Sequence, residues 1–192
     1  MFMKGQSCEL RALEESEYEA ESFTKAVNAG LTTEHMLTGS YPMRVIDCLA
    51  AWRKEREAGS VQFGIWAEMQ VDGPMYPKAL CFIGTCGLHA HRDIYRSWEF
   101  RILIFDPSAV GHGIGTEATR LVVDYAFKRL NAHRVWLGAN AANVRAIKCY
   151  EKVGFVREGV LREDLFTHGR YRDAVRMGVL EQEWTSSSQA QA

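Results

Sequence analysis

Three glycines at alternate positions, Gly111, Gly113 and Gly115, stand between a run that reads as a strand and a run that reads as a helix. Glycine allows tight turns with positive φ and leaves no Cβ between the backbone and a ligand. The first amides of a helix have no partner inside it and lie at the positive end of its dipole. Such a loop can hold phosphate, although the same pattern also serves a plain tight connection. The spacing is G-x-G-x-G, not the G-x-G-x-x-G of a dinucleotide site, and no G-K-[ST] follows. The loop lies mid-chain after strands that read as antiparallel, which does not suit a first βαβ unit.

The chain around this loop reads as an alternation of both element types. Cys8 to Leu13 alternates and is expected to be an edge strand. Glu14 to Asn28 reads as a helix ending at Gly30, and Met43 to Ala58 as a second helix stopped by Gly59, with Val45, Ile46, Leu49 and Trp52 as its apolar stripe. Val61 to Met69, Ala79 to His89 and Trp98 to Phe105 read as strands, the first two joined by a loop over Val71 to Pro77. The helix after the glycine loop runs to about Asn131. Ala118, Leu121, Val122, Tyr125, Ala126 and Leu130 form its apolar face; Glu117, Arg120, Asp124 and Lys128 form its wet face, with Asp124 and Lys128 ordered for an ion pair. Arg134 to Ala139 is a strand, Ala142 to Val153 a helix stopped by Gly154, and Phe155 to Phe166 and Tyr171 to Glu181 are closing strands.

With 192 residues and 21.7 kDa this is one domain, expected over residues 1–184, followed by a disordered Ser/Gln-rich tail at 185–192. A formal net charge of −1 argues against nucleic acid or an anionic membrane as the main partner, since such surfaces are strongly basic. No stretch reaches the length of apolar residues a membrane helix needs, and the N-terminus does not read as a secretory signal. Cys8, Cys48, Cys81, Cys86 and Cys149 form no C-x-x-C pair and read as reduced, mostly buried thiols of a cytoplasmic protein. No His, Cys, Asp or Glu spacing suggests a metal site.

A second motif follows the next strand: Asn143-Val144-Arg145-Ala146-Ile147-Lys148-Cys149-Tyr150-Glu151-Lys152-Val153-Gly154-Phe155. Asn143 and Tyr150 are two helical turns apart and share a face with Ala146 and Ile147. Alone, such a tyrosine would be read as core. Together, G-H-G-I-G-T-E-A and N-x-x-A-I-x-x-Y-E-K-x-G-F resemble the GCN5-related N-acetyltransferase (GNAT) superfamily. The closing G-R-Y-R-D-A-V-R-M resembles its ribosomal-protein and spermidine N-acetyltransferase branch.

The resemblance implies an α/β (α+β) fold: a mixed sheet of about seven strands, flanked by about four helices and splayed between its fourth and fifth strands. It implies acetyl-CoA as co-substrate and no metal. The pantetheine arm is expected along Ile102, Leu103 and Ile104, the pyrophosphate at Val110, Gly111, His112, Gly113, Ile114 and Gly115, and later contacts at Asn143 and Lys152. The family usually carries Gln or Arg where this chain has Val110, so a side-chain donor is missing there and only the backbone amide remains. Where the family often has a basic residue, this chain has His112, a weaker fixed charge near neutral pH.

Acetyl transfer from a thioester to an amine needs a neutral amine, a donor for the developing oxyanion and a proton for the thiolate. A backbone amide near Leu103 or Ile104 suits the oxyanion. Tyr150 matches the family's usual acid, and a phenol is protonated at pH 7. Glu99 is a candidate base or a solvated strand residue, while His89, His91 and His168 read as loop histidines. The expected function is acetyl-CoA-dependent N-acetylation of a primary amine, on a small molecule or a protein N-terminus. The alternatives are a non-catalytic acyl-CoA-binding module of the same fold, or a nucleotide-binding domain of another fold. The acceptor is open among a polyamine, a protein N-terminus, an amino sugar and an aminoglycoside; a homodimer is a further expectation.

Overall fold

The structure, a computed structural model, describes residues 2–14, 16–28, 43–70, 77–167 and 169–184. Its elements are β1 (Phe2–Lys4), β2 (Glu9–Ala12), α1 (Glu17–Asn28), α2 (Val45–Glu57), β3 (Val61–Met69), β4 (Ala79–Arg92), β5 (Ser97–Ile104), α3 (Ile114–Arg129), β6 (Arg134–Asn140), α4 (Val144–Val153), β7 (Val156–Thr167) and β8 (Arg170–Leu180). One sheet holds all the strands in the order β1-β2-β3-β4-β5-β6-β8-β7. Neighbours are antiparallel except β5 and β6, which are parallel. The expected mixed sheet is present with one strand more than expected. Residues 9–12 are therefore not an edge: β1 covers their outer side. The C-terminus of the first helix at Gly30, the loop at 71–76, His168 and the tail at 185–192 lie outside the described residues.

Two apolar layers sandwich the sheet. On one face α3 and α4 cover Phe63, Ile65, Ile83, Leu88, Phe100, Val135, Leu137, Val175 and Met177. On the other, α1 and α2 cover Leu13, Phe82 and Phe105 with Ala20, Cys48 and Trp52. Alternation along each strand sends successive side chains to opposite layers. The stripe on α2 is rotated from the expected one: Cys48 and Trp52 are buried with Val45 and Leu49 beside them, whereas Ile46 is 66% exposed. Positions i, i+3, i+4 and i+7 share one face, and i+1 falls off it.

Caps explain the helix boundaries. α1 opens on Ser16, whose Oγ accepts from Glu19 N at 3.2 Å, while Glu19 Oε2 accepts from Ser16 N at 3.4 Å. This is a capping box, and it lets Glu19 be almost fully buried. Gly59, with φ of 86°, follows α2, and Gly154, with φ of 116°, ends α4. On α3 the Asp124–Lys128 pair forms at 2.9 Å. Glu117 is half-buried rather than fully solvated: its carboxylate accepts from the amides of Gln6 (2.6 Å), Ser7 (2.7 Å) and Cys8 (3.1 Å) and from the Ser7 hydroxyl. This clamps the β1–β2 turn to α3. All five cysteines are free; Cys8, Cys48 and Cys86 are buried. No helix among the described residues is long and apolar enough to cross a membrane.

Candidate active site

The parallel ladder between β5 and β6 holds only Ser97↔Arg134, Trp98↔Val135 and Glu99↔Trp136. Beyond Glu99 the two strands part, while the other edge of β5 stays paired to β4 as far as Ile104. The direction of each main-chain group follows from its neighbours. Phe105 N donates to Ile83 O at 3.0 Å, so odd positions face β4; Arg96 O accepts from His133 N at 2.8 Å, so even positions face β6. The Leu103 carbonyl accordingly lies against Gly84, where a Cβ would collide with it. The main chains of Ile102 and Ile104 open onto the gap, and that of Leu103 does not. Of the two amides expected for an oxyanion, Ile104 N–H faces the gap and Leu103 N–H faces β4.

The glycine loop stands at the same end of β5. A short turn at Pro107–Ala109 is capped by Asp106, which accepts from Ser108 N at 2.9 Å. Val110 N donates to Pro107 O at 3.3 Å, so the amide that survives the loss of a polar side chain there is held within the turn. Gly111 (φ 91°) and Gly113 (φ 80°) adopt left-handed backbone, and no atom lies within 4 Å of where their Cβ would be. Gly113 precedes the first residue of α3, and no side chain caps that end, so the first amides of the helix are left to the loop's open side. His112 is exposed, whereas Ile114 is buried and anchors the helix. Gly115 serves packing instead. A Cβ there would meet Ile104 Cδ1 at 3.3 Å, so its absence lets α3 settle against β5.

α4 closes the opposite side. Asn143 stands one position before its first residue, as the N-cap, and its side chain accepts from Ala146 N at 3.1 Å. Thr116 Oγ1 and Cys149 Sγ, 3.2 Å apart, join α3 to α4. The ring of Tyr150 packs edge-on to Phe100 (6.4 Å) and to Phe155 (6.0 Å), so it lies over β5 where the strands begin to part. Gly154 produces this packing. Its left-handed turn lets both Gly154 N and Phe155 N donate to Tyr150 O and folds Phe155 back under the tyrosine. Burial raises the Tyr150 phenol above its usual range, with the neighbouring Cys149 adding to the shift, so it is protonated at neutral pH. No group among the described residues hydrogen-bonds its hydroxyl. Lys152 is exposed near the far end of α4, about 12 Å along the helix axis from its start. The structure thus gathers Ile102, Ile104, the glycine loop, Asn143 and Tyr150, and leaves Lys152 at the periphery.

Glu99 projects to the other face of the sheet, since it alternates with Phe100. Its side chain is only 14% exposed and accepts from Arg101 Nη2 at 2.9 Å, so it is no freely solvated strand residue. His89 lies in β4, as the expected strand over Ala79 to His89 had it, directly opposite Glu99, and is built into that strand rather than a loop histidine. Its Nδ1 is hydrogen-bonded to Glu55 Oε2 of α2, Ser60 Oγ donates to the same oxygen at 3.2 Å, and Arg101 Nη1 reaches Glu55 Oε1 at 3.4 Å. Burial of the imidazole, helped by the Arg101 charge, holds the His89 pKa below its usual value against the opposing pull of Glu55 and Glu99. Glu55 stays ionised below the usual carboxylate range: burial raises it, but His89, Arg101 and Ser60 outweigh that. His91 lies in the same strand. No group of three His, Cys, Asp or Glu among the described residues is arranged to hold a metal.

A mixed sheet parted after a short parallel ladder, with a glycine loop at a helix N-terminus beside the parting, is the architecture of the acetyltransferase (GNAT) domain; that family's model matches residues 8–156, and the chain belongs to it. Among its relatives, spermidine N(1)-acetyltransferase of Vibrio cholerae is 38% identical over 107 residues, 56% of this chain and 61% of the relative. A putative ribosomal N-acetyltransferase, YdaF of Bacillus subtilis, is 33% identical over 112 residues, 58% of this chain and 60% of the relative. The chain therefore spans about three fifths of the length of these curated relatives. The crystal structure of spermidine N-acetyltransferase from Vibrio cholerae in complex with CoA and spermine superposes with a TM-score of 0.78 at 27% identity, covering 94% of this chain and 99% of that one.

Proposed function

We propose that the protein is an acetyl-CoA-dependent N-acetyltransferase acting on a small primary amine. The observation that carries this reading is the parted β5–β6 edge, with the Ile102 and Ile104 main chains facing a gap beside the uncapped start of α3. An extended pantetheine arm can pair with such an edge as an added strand does. The open backbone at Gly111 and Gly113 gives a pyrophosphate room to reach the helix amides. Asn143 completes the far wall, and Lys152 is left as an outlying charge. Acetyl-CoA supplies the activated acyl group. The residues supply a facing amide at Ile104 for the oxyanion, and at Tyr150 a neutral phenol for the departing sulfur.

A small polyamine fits the other face best, because Glu55 and Glu99 gather there with Arg101 as the charged counterpart. The relatives named for spermidine point the same way. A homodimer belongs to this reading as well. The outer strand β7 exposes Val156, Val160 and Leu161, and a second copy would remove them from water. The free thiols fit a reducing compartment, the cytoplasm. The test is release of free CoA thiol from acetyl-CoA over a panel of spermidine, spermine and a peptide with a free N-terminus. Release with a polyamine and little with the peptide is expected. Tight acetyl-CoA binding without release for any amine would instead identify an acyl-CoA-binding module.

A further inference from the structure

We propose that His89, with Glu55 behind it, is the group that takes the proton from the acceptor's ammonium. The proposal rests on the acetyltransferase reading above and assigns the base that reading leaves open.

Ionised Glu55 can only accept, so its contact with His89 Nδ1 fixes the proton on Nδ1 and leaves Nε2 with a lone pair. Ser60 donates to the same Glu55 oxygen and holds it in place. Among the described residues, none hydrogen-bonds to Nε2. A carboxylate that orients an imidazole and stabilises its protonated form is the arrangement by which a histidine serves as a base.

Position follows from the strand register. His89 and Glu99 are opposite each other on β4 and β5, so their Cβ atoms lie roughly 5 Å apart on one face. Glu99 belongs to the last pair before β5 and β6 separate. Phe100, the next residue, sends its ring to the other face, against Tyr150. The proposed acid and base thus stand on opposite faces of the sheet at the level where it opens. Glu99 is engaged by Arg101 at 2.9 Å, and its carboxylate sets negative charge beside His89 where a cationic amine would approach.

The proton count closes. The ammonium gives one proton to His89 Nε2 and becomes a neutral amine. Its nitrogen lone pair forms the N–C bond as the C–S bond breaks, and the sulfur keeps that electron pair and takes the proton of Tyr150. The nitrogen's surplus proton returns to the Tyr150 oxygen. The products are the acetylated amine, the free thiol and one proton on His89, released to water.

Among the described residues, the charged and titratable groups facing His89 are Glu55 from α2 and Glu99 and Arg101 from β5, and they give the test its signs. In the native enzyme, kcat/KM for spermidine should rise with pH through a limb centred below pH 6.5. His89→Gln should abolish that limb and lower kcat/KM at pH 7.5 by at least about a hundredfold, with acetyl-CoA affinity unchanged. Glu55→Gln should move the limb to lower pH and Arg101→Gln to higher pH, shifts that a merely structural role would not produce. Glu99→Gln should raise KM for spermidine and keep the limb. Nitrogen NMR of the free enzyme gives a readout without turnover: His89 should titrate at the same pH as the limb and carry its proton on Nδ1 above it. A limb that survives in a folded His89→Gln protein, or one lost in Glu99→Gln instead, overturns the proposal. Absence of acetylation by the wild type overturns the underlying enzymatic reading instead.

Discussion

Tyr150 is held by its ring and offers its hydroxyl. Phe100 and Phe155 fix the ring, and no neighbour among the described residues takes the hydroxyl. Tyr150→Phe therefore preserves the packing and removes the donor alone. kcat should fall by at least about tenfold while acetyl-CoA affinity stays within a few-fold, as measured by steady-state kinetics and calorimetry. A loss confined to cofactor binding would make Tyr150 a contact rather than an acid. Gly113 is held by its backbone. Its φ of 80° disfavours a side chain, so Gly113→Val should cost about 1–2 kcal/mol in denaturant titration and reduce CoA affinity sharply. The two residues were legible in the sequence for different reasons. Glycines at alternate positions have few explanations, whereas Tyr150 needed a companion motif, because an aromatic on an apolar helix face is ordinarily core. The strand position of His89 was legible but its role was not, because its partner Glu55 is 34 positions away and only folding joins them.

Among the elements, the longer ones were readable, and so was the four-residue β2 within the expected Cys8 to Leu13, but the shortest strand was not. β3, β5 and β6 lie within one residue of the expected strands, since each is a run rich in β-branched, aromatic and other apolar residues bounded by turn residues. β1 has three residues, too few for any period. What holds the turn after it is Glu117, a residue that the helical pattern places among exposed charges. Removing that carboxylate tests the clamp. Glu117→Gln should destabilise the protein by about 1–2 kcal/mol, allowing for partial solvent screening, with the loss read as a lower urea midpoint at unchanged slope. The pH dependence has a fixed sign. Burial raises the Glu117 pKa, but the Ser7 hydroxyl and the amides of Gln6 and Ser7 lower it further, so the folded value lies below the usual 4.5. The clamp is at full strength above that value and weakens as pH falls through the lower folded value. The acid limb of stability should be shallower in Glu117→Gln than in the wild type.

At the scale of the whole molecule, the family was readable because two ordered motifs frame one cleft. The charged cluster proposed to receive the acceptor was not, because its members come from α2, β4 and β5 and meet only on folding. Light scattering should return about twice 21.7 kDa if β7 meets a second copy, and Val160→Lys should reduce that mass. The short parallel ladder has a mechanical consequence. It is a seam: five strands lie on one side and three on the other, and only three registered pairs bridge them. A ligand lying along the parting acts as a rivet across it. Amide exchange near Trp98 and Val135 should slow when acetyl-CoA is present, more than exchange within β3 or β8. Acetyl-CoA at a hundred times its Kd should add about 2.7 kcal/mol to global stability, observed as a rise in melting temperature. If acetyl-CoA lies there as proposed, the resistance of the seam to being pulled apart should rise with the concentration of cofactor around it.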